Sequence, residues 1–161
     1  CGCIAITIAT QLASAHVSAV DICPAALEVA RSNAKTHNVA DRIAFSAGDL
    51  YGPIPPDRKF QFIASNPPYV TTAELDQLAP DIRDHEPRTA LDGGADGLDV
   101  IRRLVAEAPG HLAPGGSLLC EISPEQADGV GRLVTEQPAF RTPRTVTDLS
   151  GRARVIVASI D

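Results

Sequence analysis

The sequence of 161 residues contains no tryptophan and no methionine, and aromatic residues make up only 4% of it. So few aromatic side chains disfavour a protein that holds flipped bases. The net charge of −6 at pH 7 and the lack of a basic cluster argue against binding duplex nucleic acid through phosphate contacts. No apolar run approaches the roughly 20 residues of a membrane-spanning helix. We therefore expect no membrane association and no direct binding of duplex nucleic acid.

The four cysteines form no C-x-x-C framework, and the four histidines are scattered. We interpret Cys1, Cys3, Cys23 and Cys120 as small buried hydrophobic residues in a reducing compartment. We therefore expect a cytoplasmic protein without a metal site.

Strand and helix patterns alternate along the chain, which indicates an α/β fold with a mostly parallel sheet. Helices are predicted at 3–14, 24–36, 98–111 and 124–137, and strands at 16–21, 42–47, 60–65, 117–122, 140–146 and 153–160. The last two strands can form a hairpin that adds an antiparallel edge. Residues 70–97 form a long irregular segment, and such loops are usually functional. We predict one domain over residues 1–161.

The most informative motif is Asn66-Pro67-Pro68-Tyr69, which follows an apolar run that we interpret as a buried strand. Ligands bind at the carboxyl ends of strands in open α/β sheets. Two prolines remove two N–H donors and stiffen the backbone, leaving carbonyl acceptors. The Asn66 side-chain oxygen and the Pro67 carbonyl could each accept one N–H of a planar –NH2 group, and Tyr69 could pack on it. The motif therefore predicts methyl transfer to an amino or amide nitrogen, although a strand-ending turn would also explain it.

Two further strand ends suggest a nucleoside site. Gly2 opens a helix and Asp21 follows about twenty residues later, a spacing typical of nucleoside binding in Rossmann-like sheets. Asp21 could accept from ribose hydroxyls, or it could simply stabilise the helix that begins at Pro24. Asp49 could accept from an adenine amino group while Leu50 packs on the ring, or Asp49 could belong to an ordinary turn.

A second unusual signature lies in the long loop, where Glu86-Pro87-Arg88 precedes the segment Leu91–Gly97. These residues could wall the substrate pocket, or they could form a solvated acidic loop. Glu121, at a strand end, could face the same crevice or cap the following helix.

Taken together, these motifs resemble the class I S-adenosylmethionine-dependent methyltransferases, and more narrowly the HemK/PrmC family of protein-(glutamine-N5) methyltransferases. The matching segments are Gly2–Ile6, Val20–Asp21, Asn66–Val70, Glu86–Arg88, Ala90–Gly94, Asp96–Leu98, Glu121–Gln126 and Asp148–Arg152. The resemblance implies a Rossmann-like fold with a seven-stranded, mostly parallel sheet and an antiparallel C-terminal strand. It also implies that the glycine-rich loop and the first strand begin before Cys1, and that an N-terminal helical docking domain is absent from this sequence.

The resemblance implies S-adenosylmethionine as cofactor, S-adenosylhomocysteine as product and a peptide chain release factor as protein partner. The implied acceptor is the glutamine of a Gly-Gly-Gln loop. The implied catalytic residues are Asn66, Pro67 and Tyr69. The implied cofactor-binding residues are Gly2, Asp21, Ile22, Asp49, Leu50 and Asn66, and the implied substrate-binding residues are Asn66, Pro67, Pro68, Tyr69 and Glu86.

Other functions are compatible with parts of the sequence. A glutamine of a ribosomal protein or an exocyclic amine of a nucleic-acid base could be the acceptor. A non-catalytic module that binds the cofactor or a partner is a further alternative, although the intact Asn66–Tyr69 motif argues against it. A dehydrogenase would explain Gly2 and Asp21 but not the two prolines.

Overall fold

The computed structural model describes all 161 residues and confirms the α/β prediction. The chain forms two compact units, Cys1–Pro56 and Asp57–Asp161. Its six strands lie in a two-stranded sheet and a four-stranded sheet. No helix in the chain is both long and apolar enough to span a membrane.

The first unit consists of two helices and two parallel strands. Its elements are α1 (Cys3–Gln11), β1 (Val17–Asp21), α2 (Pro24–Thr36), a one-turn 3-10 helix (Ala40–Arg42) and β2 (Ile43–Ala47). Val17 lies opposite Ile43 and Asp21 opposite Ala47 in the parallel pair. Parallel neighbours need a crossover connection, which α2 provides. The strands therefore end at the same edge of this sheet.

Small apolar side chains form the core of the first unit. It contains Ala5, Ile6, Ala9, Ala34, Val39 and Ile43, with Val17, Ala19 and Phe45 packed against them. Alanines on both helices permit a close approach of the helical backbones. Burial of these side chains is the main stabilising term for such a small unit.

The second unit contains a mixed sheet in the order β3-β4-β6-β5. Its strands are β3 (Phe60–Ser65), β4 (Leu112–Glu121), β5 (Arg144–Thr147) and β6 (Ala153–Ser159), and its helices are α3 (Pro80–Arg83), α4 (Arg88–Leu91), α5 (Asp99–Glu107) and α6 (Ala127–Glu136). Strands β3 and β4 are parallel, whereas β6 runs antiparallel to both β4 and β5. The predicted antiparallel C-terminal strand is confirmed.

The predicted strand at 60–65 is confirmed, but its predicted burial is wrong. Strand β3 is an edge strand, hydrogen-bonded only to β4, and Phe62 is 69% exposed. An apolar run alone does not distinguish a central strand from an edge strand, because the distinction depends on distant parts of the chain. The buried centre of the sheet is instead formed by residues such as Leu118 and Ile156.

The prediction for the cysteines holds for only part of the set. Cys120 is buried in β4, and burial raises the pKa of its thiol to about 12. Cys23 is half-buried, whereas Cys1 and Cys3 are exposed. The buried face of α1 is formed by Ala5, Ile6 and Ala9, which leaves Cys3 on the solvent side. The structure has no disulfide among the four.

Candidate active site

The Asn66–Tyr69 corner begins where β3 ends. Ser65, the last residue of β3, pairs with Cys120 of β4, so the corner starts beside the carboxyl end of the neighbouring parallel strand. Asn66 is exposed, Pro67 is buried, and Pro68 and Tyr69 are half-buried. An exposed amide next to a buried proline can meet a planar group from solvent while the backbone stays fixed.

Backbone hydrogen bonds connect the downstream end of the corner to the Leu91–Gly97 segment, which we call the acidic loop. The Val70 N–H donates to the Leu91 carbonyl at 2.9 Å, and the Gly93 N–H donates to the Val70 carbonyl at 2.8 Å. Val70 and Asp92 consequently form an isolated parallel bridge. The Leu91–Gly94 segment therefore lies directly against the corner, and its role as a wall of the substrate pocket stays a prediction.

Asp92 organises this segment from within. Its Oδ1 atom accepts from the Thr72 hydroxyl at 2.7 Å and from the Gly94 N–H at 3.0 Å. The hydrogen bond from Thr72, followed by that from Gly94, lowers the pKa of the Asp92 carboxyl. The ionised side chain thus fixes the backbone of the loop, a role that its turn-like sequence context does not reveal.

Gln126 joins three segments around the corner, and sequence reasoning did not identify it as a site residue. Its Nε2 atom donates to the Tyr69 carbonyl at 2.9 Å and to the Gly97 carbonyl at 3.1 Å. Its Oε1 atom accepts from the Ser123 N–H at 3.3 Å, as part of a capping box. The Ser-x-x-Gln spacing after a strand was the available sequence signal, and it predicts only the cap.

Gly97 has to be a glycine at this point of the loop. Its φ of +73° is left-handed, and an added Cβ would collide with the Tyr69 carbonyl oxygen and lie 2.7 Å from Gln126 Nε2. The loop backbone therefore packs against the corner at a distance that leaves no room for a side chain.

Other charged residues in the loop of residues 70–97 form ion pairs or are exposed. Arg88 pairs with Asp76 at 3.2 Å, and Arg102 pairs with Asp96 and Asp99. Glu86 lies in the turn between α3 and α4, where its N–H donates to the Ile82 carbonyl at 2.9 Å. Its side chain is exposed, and its predicted role in substrate binding stays a prediction.

In the first unit, the ends of β1 and β2 bring together four of the predicted cofactor-binding residues. The Gly48 N–H donates to the Asp21 carbonyl at 3.1 Å, which sets the turn containing Asp49 and Leu50 beside Asp21. The Asp21 Oδ1 atom accepts from the Cys23 N–H at 2.8 Å, orienting the carboxylate. Ile22, next to it, is 60% exposed. A carboxylate and an exposed apolar side chain at one sheet edge suit a ribose and a planar ring.

Gly2, the fifth predicted residue of this set in the first unit, packs against the helical layer. It caps α1 with a φ of +75°, and an added Cβ would lie 2.8 Å from Ala30 Cβ of α2. The glycine is therefore required by the close contact between α1 and α2, whatever its role toward a ligand.

Leu50 has a strained backbone that the sequence did not indicate. Its φ of +46° is left-handed, a conformation that costs a residue with a Cβ about 1–2 kcal/mol. Strain of this kind concentrates at binding and catalytic sites. It therefore supports a functional role for the Asp49-Leu50 turn.

Comparison with known proteins identifies relatives that are named methyltransferases. A family profile described as the methyltransferase small domain matches residues 1–83. The release factor glutamine methyltransferase of Gloeobacter violaceus is 40% identical over 156 residues, which cover 97% of this chain and 54% of the relative. The ribosomal protein uL3 glutamine methyltransferase of Bradyrhizobium diazoefficiens is 46% identical over 121 residues, which cover 75% of this chain and 37% of the relative. The chain thus spans about half the length of the first of these relatives.

Solved structures agree on the fold. The ribosomal protein L11 methylase of Lactobacillus delbrueckii subsp. bulgaricus superimposes with a TM-score of 0.69 at 19% identity, covering 99% of this chain and 65% of that one. At this identity the likeness concerns the fold alone. The shared fold is that of the class I methyltransferases.

Proposed function

Because the chain belongs to the methyltransferase small domain family, we propose that it transfers a methyl group from S-adenosylmethionine to a glutamine side-chain amide of a peptide chain release factor. The observation that carries this proposal is the Asn66–Tyr69 corner, in which an exposed amide precedes a buried proline at the end of β3. The likeness to relatives named release factor glutamine methyltransferase supports the choice of acceptor.

An amide nitrogen is a poor nucleophile, and the Asn66–Tyr69 corner would compensate for this by orienting it. Its lone pair is delocalised into the carbonyl. The Asn66 Oδ1 atom would accept one N–H of the amide, and the Pro67 carbonyl would accept the other. These two hydrogen bonds would orient the nitrogen and direct its lone pair at the methyl group. Orientation of this kind is worth up to ~7–11 kcal/mol in the most favourable systems. Tyr69 would pack against the planar amide, and Pro68 would keep the backbone stiff.

The sulfonium cofactor, when bound, supplies an electrophilic methyl group. The acceptor nitrogen would form its bond to the methyl carbon as the bond from that carbon to sulfur breaks, and the nitrogen would lose one proton. Asn66 is exposed, so solvent can take this proton without a dedicated base. No metal or covalent enzyme intermediate is needed for the step.

Residues of the first unit fit the cofactor. A carboxylate offers about four acceptor positions, so its bond from Cys23 leaves Asp21 capacity for the ribose hydroxyls. Asp49 and Leu50 would meet the adenine, and Ile22 would cover it. Gly2 and Asn66 complete the proposed cofactor-binding set, and Glu86 completes the substrate-binding set.

We also propose that residues 1–161 act as one catalytic domain in the cytoplasm. Four cysteines without a disulfide are compatible with a reducing compartment.

The experiment that tests the proposal is intact-mass analysis of a release factor after incubation with the protein and S-adenosylmethionine, followed by digestion. A single added methyl on the Gly-Gly-Gln glutamine is expected, and an Asn66→Ala sample serves as the blank. A release factor that stays unmodified while the cofactor binds would contradict the proposed acceptor.

A ribosomal-protein glutamine is the second candidate acceptor, favoured by the likeness to the uL3 enzyme. The same corner would hold the same amide group. Parallel reactions with release factor and with ribosomal protein uL3 separate the two, because the mass increase should occur in only one of them.

A further inference from the structure

Gln126 has more hydrogen-bonding capacity than its helix cap requires. A capping box needs only the side-chain oxygen of the third residue, which accepts from the N-cap N–H. In this chain Gln126 Oε1 does so toward Ser123. The amide nitrogen of the same side chain is left to bind elsewhere.

Both hydrogens of that nitrogen are directed at carbonyl groups far away in sequence. Nε2 donates to Tyr69, 57 residues away, and to Gly97, 29 residues away. These two bonds do not contribute to capping. They hold the end of the Asn66–Tyr69 corner and the acidic loop on one half-buried side chain.

The corner depends on such an external donor because it has few donors of its own. Pro67 and Pro68 lack an N–H, so neither can bond to the loop through its backbone nitrogen. Downstream of the prolines, the corner is hydrogen-bonded through three backbone groups. These are the Tyr69 carbonyl, the Val70 N–H and the Val70 carbonyl. Movement of the Tyr69 carbonyl would turn the peptide planes that precede it.

The packing of Gly97 is an independent sign that this junction is tightly built. Its missing side chain allows the loop to approach both the Tyr69 carbonyl and Gln126 Nε2. A loop held merely by turn geometry would not need this contact.

We propose that Gln126 is a positioning residue, which holds the Asn66–Tyr69 corner in its reactive geometry through the Tyr69 carbonyl. This inference rests on the proposed methyl transfer for its effect on rate. Gln126 itself touches neither the methyl group nor the acceptor nitrogen.

Gln126→Glu separates positioning from capping. Glutamate retains the oxygen that accepts from Ser123, and it is an equally good capping-box residue. At pH 8 it has no hydrogen to donate to Tyr69 or Gly97. The matched control is Gln137→Glu, since Gln137 also donates to a remote backbone carbonyl, that of Ala106, at 3.3 Å.

Two measurements on the whole protein are made side by side. In methylation of a release factor, Gln126→Glu should lower kcat about 100-fold, the size expected for misplacement of a reacting group. KM for the release factor and cofactor affinity should change less than about threefold, because binding contacts remain. In hydrogen exchange, peptides covering 69–72 and 91–99 should exchange faster in Gln126→Glu and at the wild-type rate in Gln137→Glu.

The outcomes separate this inference from the proposed function. Unchanged exchange and unchanged kcat in Gln126→Glu would overturn the inference while leaving methyl transfer intact. Equal losses in Gln126→Glu and Gln137→Glu would also overturn it. A third outcome is that the wild type does not methylate release factor, while the corner peptides still exchange faster in Gln126→Glu. This result would refute the proposed acceptor, and it would support the inference that Gln126 holds the corner.

Discussion

At the scale of single residues, Asn66 and Gln126 carry the same amide group in different surroundings. Both side chains offer an oxygen acceptor and an NH2 donor. Gln126 is half-buried and uses both within the chain, whereas Asn66 is exposed at the end of β3. The surroundings of the amide, and not its identity, distinguish the positioning role proposed for Gln126 from the catalytic role proposed for Asn66.

Replacement of Asn66 tests the role assigned to its side chain. In Asn66→Ala the acceptor for one substrate N–H is lost, so turnover should fall at least about 100-fold while cofactor affinity stays within about threefold. Single-turnover methylation and calorimetric cofactor titration measure the two quantities. Gln61→Ala, which removes an exposed amide of β3, should behave as wild type. Wild-type kcat in Asn66→Ala would refute the mechanism.

Replacement of Gly97 tests the tight junction between loop and corner. Gly97→Ala adds both a left-handed alanine and a collision with Tyr69, so we expect a loss of about 2–4 kcal/mol in the free energy of unfolding. Gly151 has a similar φ of +79° but nothing within 4 Å of an added Cβ. Gly151→Ala should therefore cost only about 1–2 kcal/mol. Urea denaturation measures both free energies of unfolding. Equal losses in Gly97→Ala and Gly151→Ala would show that the structure relaxes the collision with Tyr69 at no cost.

At the scale of elements, the turn between β5 and β6 is organised by one carboxylate. Asp148 Oδ1 accepts from the N–H groups of Ser150 and Arg152, and Oδ2 accepts from Arg154 at 3.2 Å. The backbone bond from Arg152, and then the side chain of Arg154, lower the pKa of Asp148. The ionised form therefore favours the folded hairpin.

This lowered pKa predicts an acid-dependent contribution to stability. A carboxylate whose folded pKa is depressed stabilises the protein above its unfolded pKa of about 3.9, and the contribution is lost as pH falls through the folded value. Asp148→Asn should be less stable than wild type at pH 7, and the difference should shrink below about pH 4. Urea midpoints from pH 7 to pH 3 measure it, with Glu136→Gln as control. A difference independent of pH would contradict the role of the charge.

Elements set by local signals could be predicted from the sequence. The helix predicted at 24–36 lies at Pro24–Thr36, because proline at its first position and apolar residues on one face are local features. The predicted bounds of strands that depend on pairing with distant residues were less accurate. Strand β4 begins at Leu112, five residues before the predicted 117, because Leu112 pairs with Phe60 across a bulge. Strand β5 begins after 140 because the Phe140 N–H bonds to Gln137 in a turn.

The same distinction applies to the candidate site. The Asn66–Tyr69 corner and the Asp21 and Asp49 strand ends are contiguous motifs, so the sequence contains enough to identify them. The link from Gln126 to Tyr69 spans 57 residues, and the bridge from Val70 to Asp92 lies inside a loop predicted as irregular. Such contacts follow from tertiary packing, which periodicity and turn signals do not encode.

At the scale of the whole molecule, the proposed chemistry is divided along the chain. Residues assigned to the nucleoside lie mainly in Cys1–Pro56, and those assigned to the acceptor amide lie in Asp57–Asp161. Substitutions in the first unit should therefore affect cofactor affinity, and substitutions in the second should affect turnover.

Asp21→Asn tests the first half of this division. Asparagine retains an oxygen for the Cys23 N–H, but it loses the charge that strengthens hydrogen bonds from ribose. Cofactor Kd should rise about 10–100-fold, while kcat at saturating cofactor stays nearly unchanged. Asp41→Asn, at an exposed position of the same unit, is the control in calorimetric titration. An unchanged Kd would assign Asp21 to the turn before α2 alone.

The distribution of charge bears on the class of acceptor. The net charge is −6 at pH 7. Many of the arginines that could contact phosphates form ion pairs: Arg31 with Glu28, Arg83 with Asp84, Arg88 with Asp76, Arg102 with Asp96, Arg141 with Asp161 and Arg154 with Asp148. Their fields are largely cancelled at short range. This charge distribution supports the proposal of a protein acceptor over that of a nucleic acid.

This charge distribution predicts weak salt dependence. Between 50 and 200 mM salt, kcat/KM for a release factor should change less than about tenfold, because a chain with a net charge of −6 offers no excess of positive charge for counterion release. A nucleic-acid acceptor held by 6–10 phosphate contacts would lose about 10³–10⁵ in affinity over the same range. Rates measured with release factor and with ribosomal RNA at each salt concentration distinguish the two. Methylation of the RNA with a steep salt dependence would overturn the assignment of a protein acceptor, because the corner would then be holding a base amine.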